Sequence, residues 1–288
     1  MADSNMAFFM HLNREEYTEF ISGCGAAIIN VGITFPINKT IFRQMLHGVG
    51  LRNAASQLKN EGFSTLYRGI YPPLFQKTIS TSLMFGTYDV IQKSLLDSNL
   101  NCRLSKVIAA LVAGTTEATL TPFERVQTLL QDNHYNKNFL NMRHAIKVIA
   151  TDYSVSEFYR GLTPILLRNG PSNISFFLLR EAANSYIVIP PSVWTGYKLF
   201  KEFLTGAFIG ALNSALFYPC NVIKVHMQSN LGGPFKSIKE AAIEIYQERG
   251  NRVSCFYRGV HMNYTRAFVS WGVINVVYEN LKCFLKNN

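Results

Sequence analysis

The tripeptide Tyr-Arg-Gly occurs three times in this 288-residue chain, as Tyr67-Arg68-Gly69, Tyr159-Arg160-Gly161 and Tyr257-Arg258-Gly259, with the copies about a third of the chain apart. A proline followed two residues later by Asn or Glu precedes each copy: Pro36/Asn38, Pro122/Glu124 and Pro219/Asn221. One proline or one Arg-Gly constrains little. Two landmarks in the same order three times mean one supersecondary unit used three times.

Each unit reads alike. A long segment holding the proline comes first, then a short charged amphipathic stretch, then Tyr-Arg-Gly, then a second long segment. The long segments cover about 16–46, 72–97, 104–132, 164–188, 198–229 and 260–285, and the amphipathic stretches 52–61, 139–151 and 236–248. Every long segment exceeds the ~20 residues that cross a bilayer core. The expected architecture is all-α: a single membrane domain over 1–288, with repeats at about 16–98, 99–191 and 192–286. Small-residue pairs such as Gly206/Gly210 and Ala110/Gly114 suit close helix contacts in lipid. A proline inside a helix removes a hydrogen bond and bends it. Its recurrence predicts one shared kink on the three odd-numbered long helices, and a bundle pinched at one end.

Composition agrees. Only 16% of residues are charged and 48% are hydrophobic, against about 25% charged in ordinary soluble domains. A mean hydropathy of +0.07 fits helices lining a water-filled cavity better than helices facing lipid all round. The net charge of +10 is spread along the chain, and no zinc-finger, helix-turn-helix or RNA-binding signature accompanies it, so nucleic acid is not expected. The five cysteines (Cys24, Cys102, Cys220, Cys255 and Cys283) are widely spaced and signal no disulfide framework, and the six histidines form no metal-ligand pattern. No nucleophile elbow, P-loop or catalytic dyad points to an enzyme. The N-terminal stretch lacks an Arg-rich, acid-poor transit pattern and the basic region of a secretory signal, so internal targeting is expected. The within-repeat loops (44–71, 132–163, 229–259) hold twelve Lys or Arg, and the between-repeat loops (93–106, 185–201) hold five. The positive-inside tendency puts the former on the matrix or cytosolic-type side, and six spans then leave both termini on the other.

The proline-based triplet and the aromatic-Arg-Gly resemble the signature of the mitochondrial carrier family over about residues 16–286. The resemblance implies a six-helix funnel, expected as a monomer in the mitochondrial inner membrane. It alternates between two open states, and a residue network closes each end. It also implies cardiolipin at the Tyr-Arg-Gly turns, where helix N-termini suit phosphate.

The family pattern pairs the acid two after each proline with the base five after the proline on the next odd helix. Here the first repeat has Asn38 and Ile41, the second Glu124 and Gln127, the third Asn221 and Lys224. Glu124–Lys224 is the one possible ion pair. Asn38 and Gln127 have the chemistry for a neutral hydrogen bond, and Asn221 is left facing Ile41. The bracing glutamine nine after the proline is Gln131 and Gln228, with Met45 in its place in the first repeat. The cytoplasmic network, an aromatic-acid-x-x-Lys pattern on even helices, is complete only at Tyr278, Glu279 and Lys282. Asp89 is followed by Gln92, and Glu181 by Asn184. Glu181–Lys282 is the expected full pair. With one ion pair per gate, neither closed state is strongly held by charge, and net uniport is expected.

The resemblance places substrate contacts about thirteen residues before the acids of the second network, at Gln76, Arg168 and Arg266, with Lys77, Asn169 and Ala267 beside them. Lys77, Arg168 and Arg266 form a cationic belt. Charges inside a membrane are costly and usually face a cavity with a purpose. Glu117, two helical turns before Glu124 on the same face, opposes them; its counterparts are Val31 and Ser214. Cations suit phosphate or carboxylate, and one acid suits a positive or hydrogen-donating end. A dinucleotide with a pyrophosphate and a cationic nicotinamide ring meets both demands, as do some zwitterionic cofactors. The runs Ala113-Gly114-Thr115-Thr116-Glu117-Ala118, Thr121-Pro122-Phe123-Glu124-Arg125-Val126-Gln127 and on to Asp132, Phe42-Arg43-Gln44, Gln76-Lys77, Arg168-Asn169-Gly170 and Ser270-Trp271-Gly272 resemble the branch of the family that carries NAD into the matrix. That implies NAD as cargo rather than as a bound cofactor, and no Rossmann fingerprint is present. Another anionic nucleotide or cofactor, coenzyme A among them, or a degenerate carrier serving as a receptor or scaffold, remains open at this point.

Overall fold

In the computed structural model of the protein, residues 14–98, 101–186 and 195–287 are described. They are helical throughout, with no strand among them. The first repeat comprises α1 (Arg14–His47), α2 (Leu51–Glu61), the single turn α3 (Phe63–Leu66) and α4 (Tyr71–Asp97). The second has α5 (Cys102–Glu117), a 3-10 turn (Ala118–Leu120), α6 (Thr121–Gln131), α7 (Met142–Asp152) and α8 (Leu162–Tyr186). The third has α9 (Thr195–Leu216), α10 (Tyr218–Ser229), α11 (Ile238–Glu248) and α12 (Val260–Asn287). Residues 1–13 and 187–194, where the expected outer termini and the second between-repeat loop fall in part, lie outside the described set, as does Asn288.

The long helices close into a ring in chain order. α4 packs on α5, α5 on α8, α8 on α9 and α10, α9 on α12, and α12 along α1. At one end α10 also meets α1 and α6, which draws the odd helices together and closes the ring.

The proline kink is not shared equally. α1 runs through Pro36 without a break. In the second repeat a 3-10 turn precedes Pro122, and in the third the chain breaks at Phe217, bending Phe208–Leu216 against Tyr218–Ser229 by 56°. Both prolines fall in the first turn of a new helix, where the missing N–H costs nothing. A proline's ring crowds the carbonyl four residues earlier. That residue is Gly32 in the first repeat but Ala118 and Ala215 in the others, and glycine tolerates the tilt more easily. By length and hydropathy alone, Ile21–His47 qualifies as a membrane span, and the bent pair of the third repeat qualifies jointly.

The short helices lie outside the closed end, each on an apolar stripe. Ala145 and Ile149 of α7 pack on Val126, Leu129 and Leu130 of α6. Ala241 and Ile245 of α11 pack on Val222, Ile223 and Met227 of α10. α11 begins with a reciprocal capping box between Ser237 and Glu240.

The three Tyr-Arg-Gly turns stitch the repeats into a second ring. Arg68 donates to the Phe139 carbonyl in the second repeat. Arg160 donates to the Pro234 and Gly233 carbonyls in the third, at 3.2 and 2.8 Å. Arg258 donates to the Gly48 carbonyl in the first. Each reaches the loop that follows the next odd helix. The following glycines have φ of 84°, 81° and 97°, a region closed to most side chains. A Cβ on Gly161 would come within 2.8 Å of Gln228, and one on Gly259 within 2.5 Å of the Tyr218 hydroxyl.

Candidate functional site

At the closed end, Glu124 on α6 accepts from Lys224 Nζ on α10 at 3.0 Å. Its other oxygen accepts from Gln76 Nε2 on α4 at 2.8 Å. Gln76, read as a substrate contact, is thus also a partner of Glu124. Arg168 on α8 is placed similarly. Its Nη1 donates to Asn221 Oδ1 at 2.7 Å, and its Nε and Nη2 donate to Asn169 Oδ1 at 2.9 and 2.6 Å. Asn169 is buried where α8 crosses α5. The crossing is tight: a Cβ on Gly114 would stand 2.9 Å from the Asn169 carbonyl carbon.

The neutral gate positions depart from expectation. Asn221 does not simply face Ile41 but takes the Arg168 guanidinium, because an amide oxygen within reach of a cation outcompetes contact with an apolar chain. Asn38 and Gln127 form no hydrogen bond with each other among the described residues. Both line a polar cavity of about 250 Å³, together with Ile41, Met45, Gln131, Asn221, Lys224, Asn263 and Arg266. Two short uncharged side chains do not bridge the gap that a carboxylate and a lysine would span.

Arg266 on α12 donates to Asn263 Oδ1 through Nη2 at 3.1 Å and Nε at 3.3 Å. Asn263 in turn donates to Ser214 Oγ at 2.5 Å. Ser214 holds the third-repeat position that corresponds to Glu117. Glu117 itself accepts from Ser80 on α4. Asn213 donates to Ser172 Oγ at 2.8 Å. Ser80, Ser172, Asn213 and Asn263 carry no sequence signal of their own. The only pointer to Asn263 is its spacing, one helical turn before Arg266. Lys77 is on α4 beside Gln76, but its side chain lies outside the described part of the structure.

The bracing layer is more regular than the sequence suggests. Thr128 Oγ1 donates to Gln228 Oε1 at 3.1 Å, and Gln228 and Gln131 are both buried. In the first repeat Gln44, adjacent to Met45, is buried and meets Gly259, as Gln228 meets Gly161.

At the opposite end Glu181 accepts from Lys106 of α5 at 2.8 Å; the Glu181–Lys282 pair belongs to the state in which that end is closed, and is not formed in this one. Lys106 is on α5, the helix packed against α8. Lys282 Nζ sits 5.5 Å from the Tyr278 ring centroid. Asp89 is exposed and Gln92 half-buried, and the side chains of Asn184 and Glu279 lie outside the described set. Tyr88 stacks on Phe177 with centroids 4.1 Å apart.

Under the closed end a buried ionic cluster joins the second repeat to the third. Glu157 bonds Arg160 at 2.5 Å and Arg125 at 3.1 Å, and Arg125 also donates to the Asn230 carbonyl at 2.7 Å. Burial pushes the Glu157 carboxyl up, but hydrogen bonds and charge from Arg160 and Arg125 outweigh it and hold it below the usual carboxylate range.

A ring of three two-helix units with polar networks at the same depth in each is matched by a family model, the mitochondrial carrier protein, which fits this chain three times, over 13–99, 103–189 and 196–288. The chain belongs to the mitochondrial carrier family. Among its relatives is the human mitochondrial nicotinamide adenine dinucleotide transporter SLC25A51, 44% identical over 271 residues, covering 93% of this carrier and 90% of that protein. The human transporter of the same description, SLC25A52, is 41% identical, covering 95% and 91%. The human solute carrier family 25 member 53 is 30% identical, covering 90% and 85%.

Proposed function

We propose that this carrier moves NAD across the mitochondrial inner membrane by alternating access, with six spans, both termini toward the intermembrane space, and the closed end facing the matrix. The observation that carries the substrate is the partnering of Arg168 and Arg266. Both guanidiniums bond amide oxygens of Asn169, Asn221 and Asn263, with no carboxylate among their hydrogen-bond partners in the described residues. They are held in place by neutral amides, partners that an anion forking onto guanidinium, as a pyrophosphate does, can replace. Glu117, presented by Ser80, supplies the single counter-charge for a cationic nicotinamide ring. The named relatives agree with this cargo, and the cargo leaves with the transport step rather than staying as a cofactor.

The same bonds suggest how binding opens the gate. A phosphate that takes Arg168 releases Asn221, and a ligand that takes Gln76 removes one of the two partners of Glu124. Each exchange swaps a gate contact for a substrate contact, so the closed state weakens only when the cavity is loaded. At the turns, the Tyr-Arg-Gly arginines are committed to backbone carbonyls. A cardiolipin phosphate would therefore fall on the free amides of the even-helix N-termini.

Reconstituted carrier tests this directly. Uptake of labelled NAD should be competed strongly by unlabelled NAD and weakly by ATP. Arg168→Ala and Glu117→Ala should each reduce uptake at least about tenfold, the loss of one charge-assisted contact, while melting cooperatively. Equal competition by ATP would move the cargo to another nucleotide. Full uptake by both variants would refute the site.

A further inference from the structure

His226, Glu244 and Glu248 take no part in the gates or the cavity contacts, yet they converge. His226 is near the C-terminal end of α10, two residues beyond Lys224. Glu244 and Glu248 stand one turn apart on α11, which is clamped to α10 by the apolar cluster of Met227, Ala241 and Ile245. One ligand atom from each of the three lies within 4.8 Å of the others. His226 Nε2 and Glu248 Oε2 are already 3.6 Å apart. Two ligands on one tetrahedral zinc stand about 3.4 Å apart, so side-chain movements of an ångström or so bring the set to that spacing.

The imidazole supplies an independent reason to look for a ligand. His226 is 8% exposed, its Nδ1 is buried without a partner, and Nε2 is beyond hydrogen-bond reach of Glu248. A buried imidazole nitrogen without a partner is costly, and such a group calls for a missing partner. The glutamates open the site to solvent, with side chains 33% and 56% exposed. Lys236 competes for Glu244, with its Nζ 2.6–2.7 Å from the two carboxylate oxygens, and Arg249 is the other cation near the cluster.

We propose that His226, Glu244 and Glu248 form a site for a zinc-class divalent cation that ties α10 to α11 at the closed rim. One imidazole with two carboxylates suits a borderline ion, whereas magnesium and calcium favour all-oxygen shells. The histidine spacing conceals the site, because its ligands come from two segments that meet only after folding.

Full-length carrier in detergent, stripped with chelator and titrated with zinc chloride, gives the test by calorimetry and metal analysis. The wild type should bind about one zinc more than Glu248→Gln or His226→Gln, with an affinity at least about tenfold above the variants. Glu248 is exposed, so its variant keeps the fold. Lys236→Gln, which removes the competing ammonium, should bind zinc severalfold more tightly than wild type. Magnesium chloride at the same concentration should not compete. Equal zinc binding in wild type and both ligand variants, no tightening in Lys236→Gln, or effective competition by magnesium would each overturn the assignment.

Discussion

Asn221 stands where the repeat pattern calls for an acid, and its neutrality has a consequence for Arg168. An aspartate there would turn the guanidinium–amide hydrogen bond into a full ion pair. The site would then be self-neutralised. Asn221→Asp should raise the apparent melting temperature in detergent and raise the KM for NAD about tenfold, since substrate would have to displace a carboxylate rather than an amide. An unchanged KM with the variant folded would show that Arg168 does not meet the substrate. The same residue marks where sequence reading stops. The Glu124–Lys224 pairing was legible through the resemblance to the carrier pattern, which left these two as the one acid and base at matched positions. Asn221, Gln76 and Asn263 carry amides that bond acids, bases and each other alike. Only the geometry of α4, α8, α10 and α12 decides which partner is nearest. Gln44 was hidden for a similar reason, since a shift of one residue from the repeat register looked like the loss represented by Met45.

At the scale of elements, the odd helices were legible as long apolar segments with a proline, but not their different breaks. Those depend on the residue four earlier, Gly32 against Ala118 and Ala215, a detail that periodicity averages away. What the breaks require is a rigid support beneath the bend. In the second repeat this is the Arg125–Glu157–Arg160 cluster, which fixes α6 to the turn before α8 and to the loop after α10. Breaking one partner of a buried ion pair costs about 3–5 kcal/mol, because it strands the remaining charge. Glu157→Gln should therefore lower the apparent melting temperature by several degrees at neutral pH. The sign of its pH dependence follows from the lowered Glu157 pKa. The stabilisation is full above the ordinary carboxylate value of about 4.3 and fades as pH falls through the folded value. Wild type and Glu157→Gln should converge in stability on acidification, as followed by thermal melts from pH 7 downward. A gap that stays constant to the acid limit would mean that Glu157 acts by packing rather than by charge.

For the whole molecule, the threefold frame and its unequal chemistry bear on how the carrier cycles. In a strict exchanger the empty carrier must not reorient, so its closed gates must be strong when unloaded. Two of the three possible ion pairs are missing at the closed end. Desolvation offsets part of each pair's gain, so about 1.5–3 kcal/mol per hydrogen-bonded pair is an upper figure, and their absence lowers the barrier to empty return by at most roughly 3–6 kcal/mol, or about 10²–10⁴-fold in rate. The bonds from Gln76 to Glu124 and from Arg168 to Asn221 restore part of this only while the cavity is empty. Empty return should then be slower than loaded return yet still occur. Liposomes without internal NAD should show net uptake, and internal NAD should accelerate it severalfold. Supplying the second pair with Asn38→Asp and Gln127→Lys together, at positions that line the same cavity, should depress net uptake far more than exchange. An absolute requirement for internal NAD in the wild type would mean that the amide contacts alone hold the empty gate shut. The argument from missing ion pairs would then fail.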